Sequence, residues 1–558
     1  MVIGGSAAGP KAASRARRLD PDADITIIQK ENDLSMASCG YPYYVGGVFD
    51  ERNKLICTPT GVVRDPNFFM NAKGIKAMNN TEATEIDTEN KTVKYRGLMN
   101  GEEGTVEYDK LIIATGARPK MPPVKGLDLE GITTLQSLGD ADYLRKVRDE
   151  GKIKKAVVVG GGLIGLETCE ALQLAGIEIT VIEMMPQIMM FMDWQLAKIL
   201  ENNIRNWAAN VITGNAVAEF LGEDGKLTGV KLANGTELPC ELAVVAIGVT
   251  PNVELALKAG IDIGETGGIN VDEFMQTSDP DVYAIGDCIE IPNLVNGKKV
   301  LAPYGDLANL QGRVAGENAA TENVARFPGC IQTGICKVFN YNAGTTGIFE
   351  REAEEAGFDP VSVITASPDK PGFMGGLLLI NKMVADRKTG RILGFQCVGP
   401  GDVSKQVAQA AVAIKGGMTV DDMVNADLPY APPFTLAVDN LIAVSHVLQN
   451  KIRGLMTGIS AVEVKKKLDA CEKPFILDTR GPEEFEAMRL GIGEVLIPLG
   501  ALRKRSSELP EDKDAEIITY CKISLRGYEA ARYIQSLGYT DVKVMEGGIM
   551  AWPFPREK

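Results

Sequence analysis

The stretch that most narrows the fold of this chain runs KKAVVVGGGLIGLETCEALQLAGIEITVIEMM from Lys154. An apolar, strand-like run enters a glycine turn, Gly160-x-Gly162-x-x-Gly165. A helical segment follows, then a second apolar run ending at Glu183. Glycines at this spacing allow a tight turn, close backbone approach to a pyrophosphate, and close packing of helix on strand. Phosphate charge then sits at the helix N-terminus, where unpaired N–H groups point outward. Glu183 lies 18 residues past Gly165, the range at which a carboxylate takes a ribose 2′-hydroxyl. A carboxylate there repels a 2′-phosphate, which favours NADH over NADPH.

The N-terminus repeats the pattern as Gly4-x-Ser6-x-x-Gly9, with Ser6 at the middle glycine position and a very short first strand. Its second strand, DITIIQK, puts Gln29 where an acid normally binds ribose, and glutamine both donates and accepts. Three further apolar runs end in glycine turns: LIIATGARP with Thr115 and Gly116, AVVAIGVTPN with Gly248, and SDPDVYAIGDC with Gly286 and Asp287. Asp287, at a strand end, is placed to accept from a ribityl hydroxyl.

From Val2 to about Lys451 this ordered set resembles the flavoprotein pyridine nucleotide-disulfide oxidoreductases. The resemblance implies an α/β chain with two Rossmann-like dinucleotide-binding domains. FAD would occupy a discontinuous domain of residues 1–116 and 247–324, and NADH an inserted domain of residues 117–246. An α+β dimerisation domain would follow at 325–450, making the protein a homodimer.

Composition fits that outline. A chain of 558 residues exceeds one hydrophobic core and suggests three or four domains. Lys plus Arg number 59 against 74 Asp plus Glu, a net charge of -15, which argues against nucleic acid or an anionic membrane as the main partner. Ten cysteines contain no CxxC pair, and the single histidine, His446, leaves no Cys/His metal cage. Without a signal-type leader or a membrane-length apolar run, a reducing cytoplasm is the expected setting, with most cysteines as buried thiols. His446 lies in the amphipathic LIAVSHVLQNK, which reads as a core or surface position.

Cys39 stands apart. In NDLSMASCGYPYYVGG it has no cysteine partner within the five or so residues used by dithiol enzymes, the nearest being Cys57. The pattern SxxxCGxPYY resembles the active-site segment of coenzyme A-disulfide reductases and the related NADH oxidases and peroxidases. That likeness implies a single catalytic cysteine beside the flavin at the start of a helix, with a lowered thiol pKa. DLPYAPPFTLAVDNL resembles the segment that reaches the partner subunit's active site. Tyr430 matches its tyrosine, which would protonate or stabilise a leaving thiolate. A second tyrosine of the family is replaced around Gly372 and Phe373, which weighs against coenzyme A disulfide itself as the acceptor. Arg15 and Arg18 read equally as coenzyme A phosphate contacts or as an exposed helix face.

Residues 459–558 resemble a rhodanese domain: LDTRGPEEFEAMRLGIGEVLIPLG, then EIITYCKISLRGYEAARYIQSLGY, then VMEGGIMAW. Cys521 ends a strand and opens the loop Cys521-Lys-Ile-Ser-Leu-Arg526, whose successive N–H groups can form a nest for a thiolate or persulfide. Four residues between Cys521 and Arg526 make a tighter loop than the five of related phosphatases, which favours sulfur transfer. Asp478 and Arg480 match the family's structural DxR. A chain joining a flavin-linked cysteine to a persulfide-carrying one reads as a sulfane-sulfur reductase. Cys521 would present sulfur, with coenzyme A as a candidate carrier, and Cys39 would attack the S–S bond. NADH through FAD would then reset Cys39 with release of sulfide. Two alternatives stay open: an NADH oxidase or peroxidase with a sulfenic acid at Cys39, and a redox sensor presenting the rhodanese module.

Overall fold

The computed structural model describes residues 1–557; Lys558, the end of the expected rhodanese range, lies outside the described residues. The chain forms two compact units. One comprises Met1–Pro186 and Ala209–Cys330, the other Gln187–Ala208 and the chain from Ile331 onward.

The first unit holds two five-stranded parallel sheets. One is ordered Val282–Ala284, Leu111–Ile113, Val2–Ile3, Thr26–Ile28, Lys76–Met78. Its edge strand comes from far along the chain and pairs Tyr283 with Ile112. Strands such as LII and VYA are buried throughout, as a parallel sheet covered on both faces requires. The Ala8–Leu19 helix packs on the Gly305–Ala320 helix almost backbone to backbone: a Cβ on Gly316 would lie 2.2 Å from the Ala12 carbonyl oxygen. The second parallel sheet is ordered Asn210–Ile212, Glu178–Ile182, Lys155–Val159, Leu242–Val245, Ile132–Thr133. Ala117–Pro119 pairs antiparallel with Val249–Pro251, a two-stranded tie on the two chain segments that flank this sheet.

In the second unit an antiparallel sheet is ordered Gly334–Val338, Tyr341–Gly347, Ile392–Gly399, Leu378–Asp386, Pro360–Pro368. A parallel sheet is ordered Gly458–Ile459, Val542–Met545, Ile517–Tyr520, Phe475–Asp478, Val495–Leu496. The expected α/β class, with parallel dinucleotide-type sheets, an antiparallel dimerisation-type sheet and a parallel C-terminal sheet, is what forms. The Trp194–Asn206 helix, which falls in the sequence range 117–246, packs in this second unit. Gln195 donates to the Ala551 carbonyl at 2.8 Å, Asn202 to that of Pro553 at 2.8 Å, and the Trp194 and Phe554 rings lie 5.6 Å apart. Among the described residues no helix is long and apolar enough to cross a membrane.

Candidate active site

The two glycine turns of the first unit are built alike. Gly4 and Gly160 hold φ of +111° and +117°, and a Cβ on either would lie 2.0 or 2.3 Å from the carbonyl oxygen of Ala114 or Ala246 on the neighbouring strand. A Cβ on Gly9 or Gly165 would meet the Gly4 or Gly160 oxygen at 1.9 or 2.1 Å, so helix and strand approach as closely as backbone allows. Gly162 differs: nothing lies within 4 Å of its Cβ position. That open space, at the head of the Leu163–Gln173 helix, is where a pyrophosphate fits. Ser6 takes the corresponding place in the first turn.

Gln29 and Glu183 also occupy matching positions. Gln29 Oε1 accepts from the Gly5 N–H at 2.7 Å, and Glu183 accepts from the N–H groups of Gly161 at 2.7 Å and Met185 at 2.8 Å. Each side chain is thereby locked at the lip of its own turn. Thr115 donates to the Asn252 carbonyl at 2.6 Å, and a Cβ on Gly116 would meet open space. At Gly248, which has φ of +101°, the nearest atom to a Cβ would be 4.0 Å away. Gly286 is anchored by its N–H donating to Gln311 Oε1 at 2.8 Å. Beside it Asp287 is half-buried, and among the described residues no group donates to its carboxylate. Burial pushes its pKa up to about 6. A desolvated acceptor without a donor fits a ligand hydroxyl, so the residues present suit FAD.

Cys39 lies in a single turn, Ser38–Gly40, that runs directly into the Tyr41–Gly46 helix. Its side chain is exposed, within reach of a substrate. A second helix also faces it: the Cβ position of Gly305, first residue of the Gly305–Ala320 helix, is 3.6 Å from Cys39 Sγ. The unpaired first-turn N–H groups of a sixteen-residue helix are therefore beside the sulfur. The expected low thiol pKa is nevertheless not what the chain alone produces. Although the side chain is exposed, protein packed around the sulfur partly desolvates it and raises the pKa, and the carboxyls of Glu167, Asp287 and Asp306 raise it further. Desolvation is the largest of these effects, and the three acids add to it.

Glu167 was not legible as part of the site. It sits on the helix after the second glycine turn, and Tyr43 donates to its Oε1 at 3.2 Å. Burial raises its pKa to about 7. Its position two residues after Gly165 was the only available signal. Arg15, weighed as a phosphate contact, is instead paired with Glu317 at 2.6 Å. Arg18 is exposed, and it and Arg64 lie close enough to help burial press the Lys73 pKa down. Arg64 also donates to the Ser35 carbonyl at 3.1 Å, tying this cationic group to the Cys39 segment. His446 is exposed and contacts the Val424 carbonyl oxygen.

In the second unit Cys521 is 1% exposed and follows the Ile517–Tyr520 strand. The loop turns sharply at Ser524, a non-glycine residue at φ of +78°. Among the described residues the N–H groups of Lys522 to Arg526 find no acceptor, a nest aimed at an anion. Arg526 is held by Glu484 through bonds of 2.7 and 2.8 Å, and both Glu484 and Cys521 raise its pKa. Arg480 grips Asp478 with both side chains almost wholly buried, and donates to the carbonyls of Glu484 and Met488. Removing one member of such a pair costs about 3–5 kcal/mol. The DxR motif thus sets the helix that carries Glu484. Tyr430 lies in an irregular segment with its side chain exposed, as are Phe434 and Phe373.

Comparison with known proteins matches three successive segments of the chain. Residues 1–299 match the pyridine nucleotide-disulphide oxidoreductase model, residues 333–442 its dimerisation domain, and residues 460–553 the rhodanese-like domain. The chain is 35% identical over 451 residues to an NAD(P)H coenzyme A polysulfide/persulfide reductase of Pyrococcus horikoshii, covering 80% of this chain and 98% of that protein. It is similar along 99% of both chains to the solved NAD-dependent persulfide reductase from A. fulgidus, with 44% identity and a TM-score of 0.93. It is also similar to the reduced Bacillus anthracis CoADR-RHD, with 31% identity, a TM-score of 0.91, and coverage of 99% of this chain and 97% of that one.

Proposed function

Because the chain belongs to the pyridine nucleotide-disulphide oxidoreductases, a family that uses FAD and NAD(P)H, we propose that it reduces sulfane sulfur with NADH at Cys39. Glycine turns, Gln29 and Glu183, Thr115 and Asp287 are the residues that would hold the two dinucleotides. Glu183, pinned by two backbone N–H groups, supports NADH over NADPH, because a fixed carboxylate cannot swing away from a 2′-phosphate.

The chemistry of the chain's own residues runs as follows. The Cys39 thiolate attacks the outer sulfur of a persulfide or polysulfide, the S–S bond breaks, and the departing thiolate takes a proton. Glu167, raised to about 7 beside Cys39, is suited to take the Cys39 proton as the thiol ionises and to pass it to the departing thiolate. FAD, when bound, supplies the electron pair from the nicotinamide that reduces the Cys39 persulfide back to thiolate with release of sulfide. The helix at Gly305 favours negative charge at the sulfur during attack. Cys521, in its nest of N–H groups, would carry sulfane sulfur as a persulfide.

Coenzyme A is the proposed carrier. The support is the convergence of Arg18, Arg64 and Lys73 on one face joined to the Cys39 segment, which suits phosphate groups. The active form is proposed to be a homodimer, with Tyr430 of one protomer serving the Cys39 site of the other. Phe373, Tyr430 and Phe434 are apolar side chains exposed within the dimerisation-type domain, which a second copy would cover. The observation that carries the reading is the presence in one chain of a lone thiol at a helix N-terminus and a second thiol inside an anion nest. Steady-state NADH oxidation with coenzyme A persulfide, polysulfide, coenzyme A disulfide and oxygen tests it. Sulfane-sulfur acceptors should be turned over fastest; oxygen as the best acceptor would make the protein an oxidase instead.

A further inference from the structure

The loop of Cys521 leans on one short segment, Met545 to Met550. Ser524 Oγ, at the strained turn of the loop, donates to the Met545 carbonyl at 2.5 Å. The N–H of Ile549 donates to the Cys521 carbonyl at 3.0 Å, and that of Met550 to the Lys522 carbonyl at 3.2 Å. Gly548 packs so tightly that a Cβ there would lie 2.4 Å from the Cys521 oxygen. The position of the sulfur therefore follows the position of this segment.

Inside the same segment sits Glu546, 4% exposed. Its carboxylate lies between the Gly458–Ile459 strand of the rhodanese sheet and the edge strand of the antiparallel sheet, which it caps. Oε2 accepts from the Ile364 N–H at 3.0 Å, and Oε1 accepts from Lys451 Nζ at 2.6 Å. Lys451 also donates to the Ser362 carbonyl of that strand at 2.8 Å. An edge strand's spare donor and acceptor are thus satisfied by one ion pair spanning two domains. The space is closed on the other side by Gly458, whose Cβ would fall 1.9 Å from Glu546 Oε1.

We propose that Glu546 is a positioning residue for Cys521: its ion pair with Lys451 sets the shape of the sulfur-carrying loop from the dimerisation domain. The inference rests on the sulfur-transfer reading of Cys521 for its consequence, though not for its geometry. The rhodanese module then works docked against the antiparallel sheet through this ion pair.

The test uses the full-length holoenzyme and the variants Glu546→Gln, Lys451→Arg and the paired Lys451→Met/Glu546→Gln, which leaves no buried charge unmatched. Alkylation of Cys521 and Cys39 by iodoacetamide is followed separately by peptide mass spectrometry across pH, alongside sulfane-sulfur transfer to cyanide. In Glu546→Gln, Cys521 alkylation should change in rate and pH profile, and sulfur transfer should fall about tenfold or more, as a small misplacement of a reacting atom does. Cys39 alkylation should stay as in the parent, and Lys451→Arg should retain most of the transfer rate. The paired variant, if folded as the parent is, should show the same Cys521 change as Glu546→Gln. A Cys521 profile unchanged in Glu546→Gln, or equal losses at both cysteines tracking a lowered melting temperature, would overturn the proposal. A parent enzyme that alkylates normally yet moves no sulfur to cyanide would sink the sulfur-transfer reading while the alkylation profiles still decide the positioning role.

Discussion

At the scale of single residues the site is governed by carboxyls that surround the reactive thiol. Glu167 titrates near 7 because it is buried, so it is already ionised when Cys39, whose pKa is raised, begins to lose its proton. A negative neighbour disfavours a second negative charge. Replacing Glu167 with Gln should therefore move the pH profile of Cys39 alkylation to lower pH, and an unmoved or rising profile would show that the carboxyl does not face the sulfur. Cys39 itself was readable from the sequence because a lone cysteine before Gly-Tyr-Pro is a local pattern. Glu167 was not, because it reaches the site from a helix belonging to a different sheet, and nothing local marks a helical glutamate as facing a thiol.

At the scale of elements the glycine turns separate two demands that the sequence pattern merges. Gly165 is required by packing, since its Cβ would meet a backbone oxygen at 2.1 Å. Gly162 is required only by what binds, since its Cβ would meet nothing and its φ of -85° suits any residue. Gly165→Ala should lower the melting temperature through a backbone clash costing about 1–3 kcal/mol. Gly162→Ala should leave melting unchanged while raising KM for NADH; a stability loss at Gly162 would show that this turn is not an open cradle. Both turns were legible because turn chemistry is local. The Trp194–Asn206 helix was not, because an amphipathic helix reads the same whichever sheet it covers. The Glu546 clamp was hidden for a related reason: a carboxylate at a strand end announces neither its burial nor a partner in another domain.

At the scale of the whole molecule the proposed homodimer is the feature to test. Phe434 is 74% and Phe373 80% exposed, and both are side chains that the proposed second copy would cover. On the proposed homodimer, Phe434→Glu should convert dimer into monomer in sedimentation velocity and reduce turnover, because Tyr430 would no longer reach the partner's site. A monomeric parent protein would end the proposed role of Tyr430.

The central claim is that one thiol, without a companion, breaks sulfur–sulfur bonds in this protein. Its most direct test is NADH-dependent sulfide release from coenzyme A persulfide by the Cys39→Ser holoenzyme. The account predicts that NADH still bleaches the flavin while sulfide release is abolished. Sulfide release at the parent rate would contradict it.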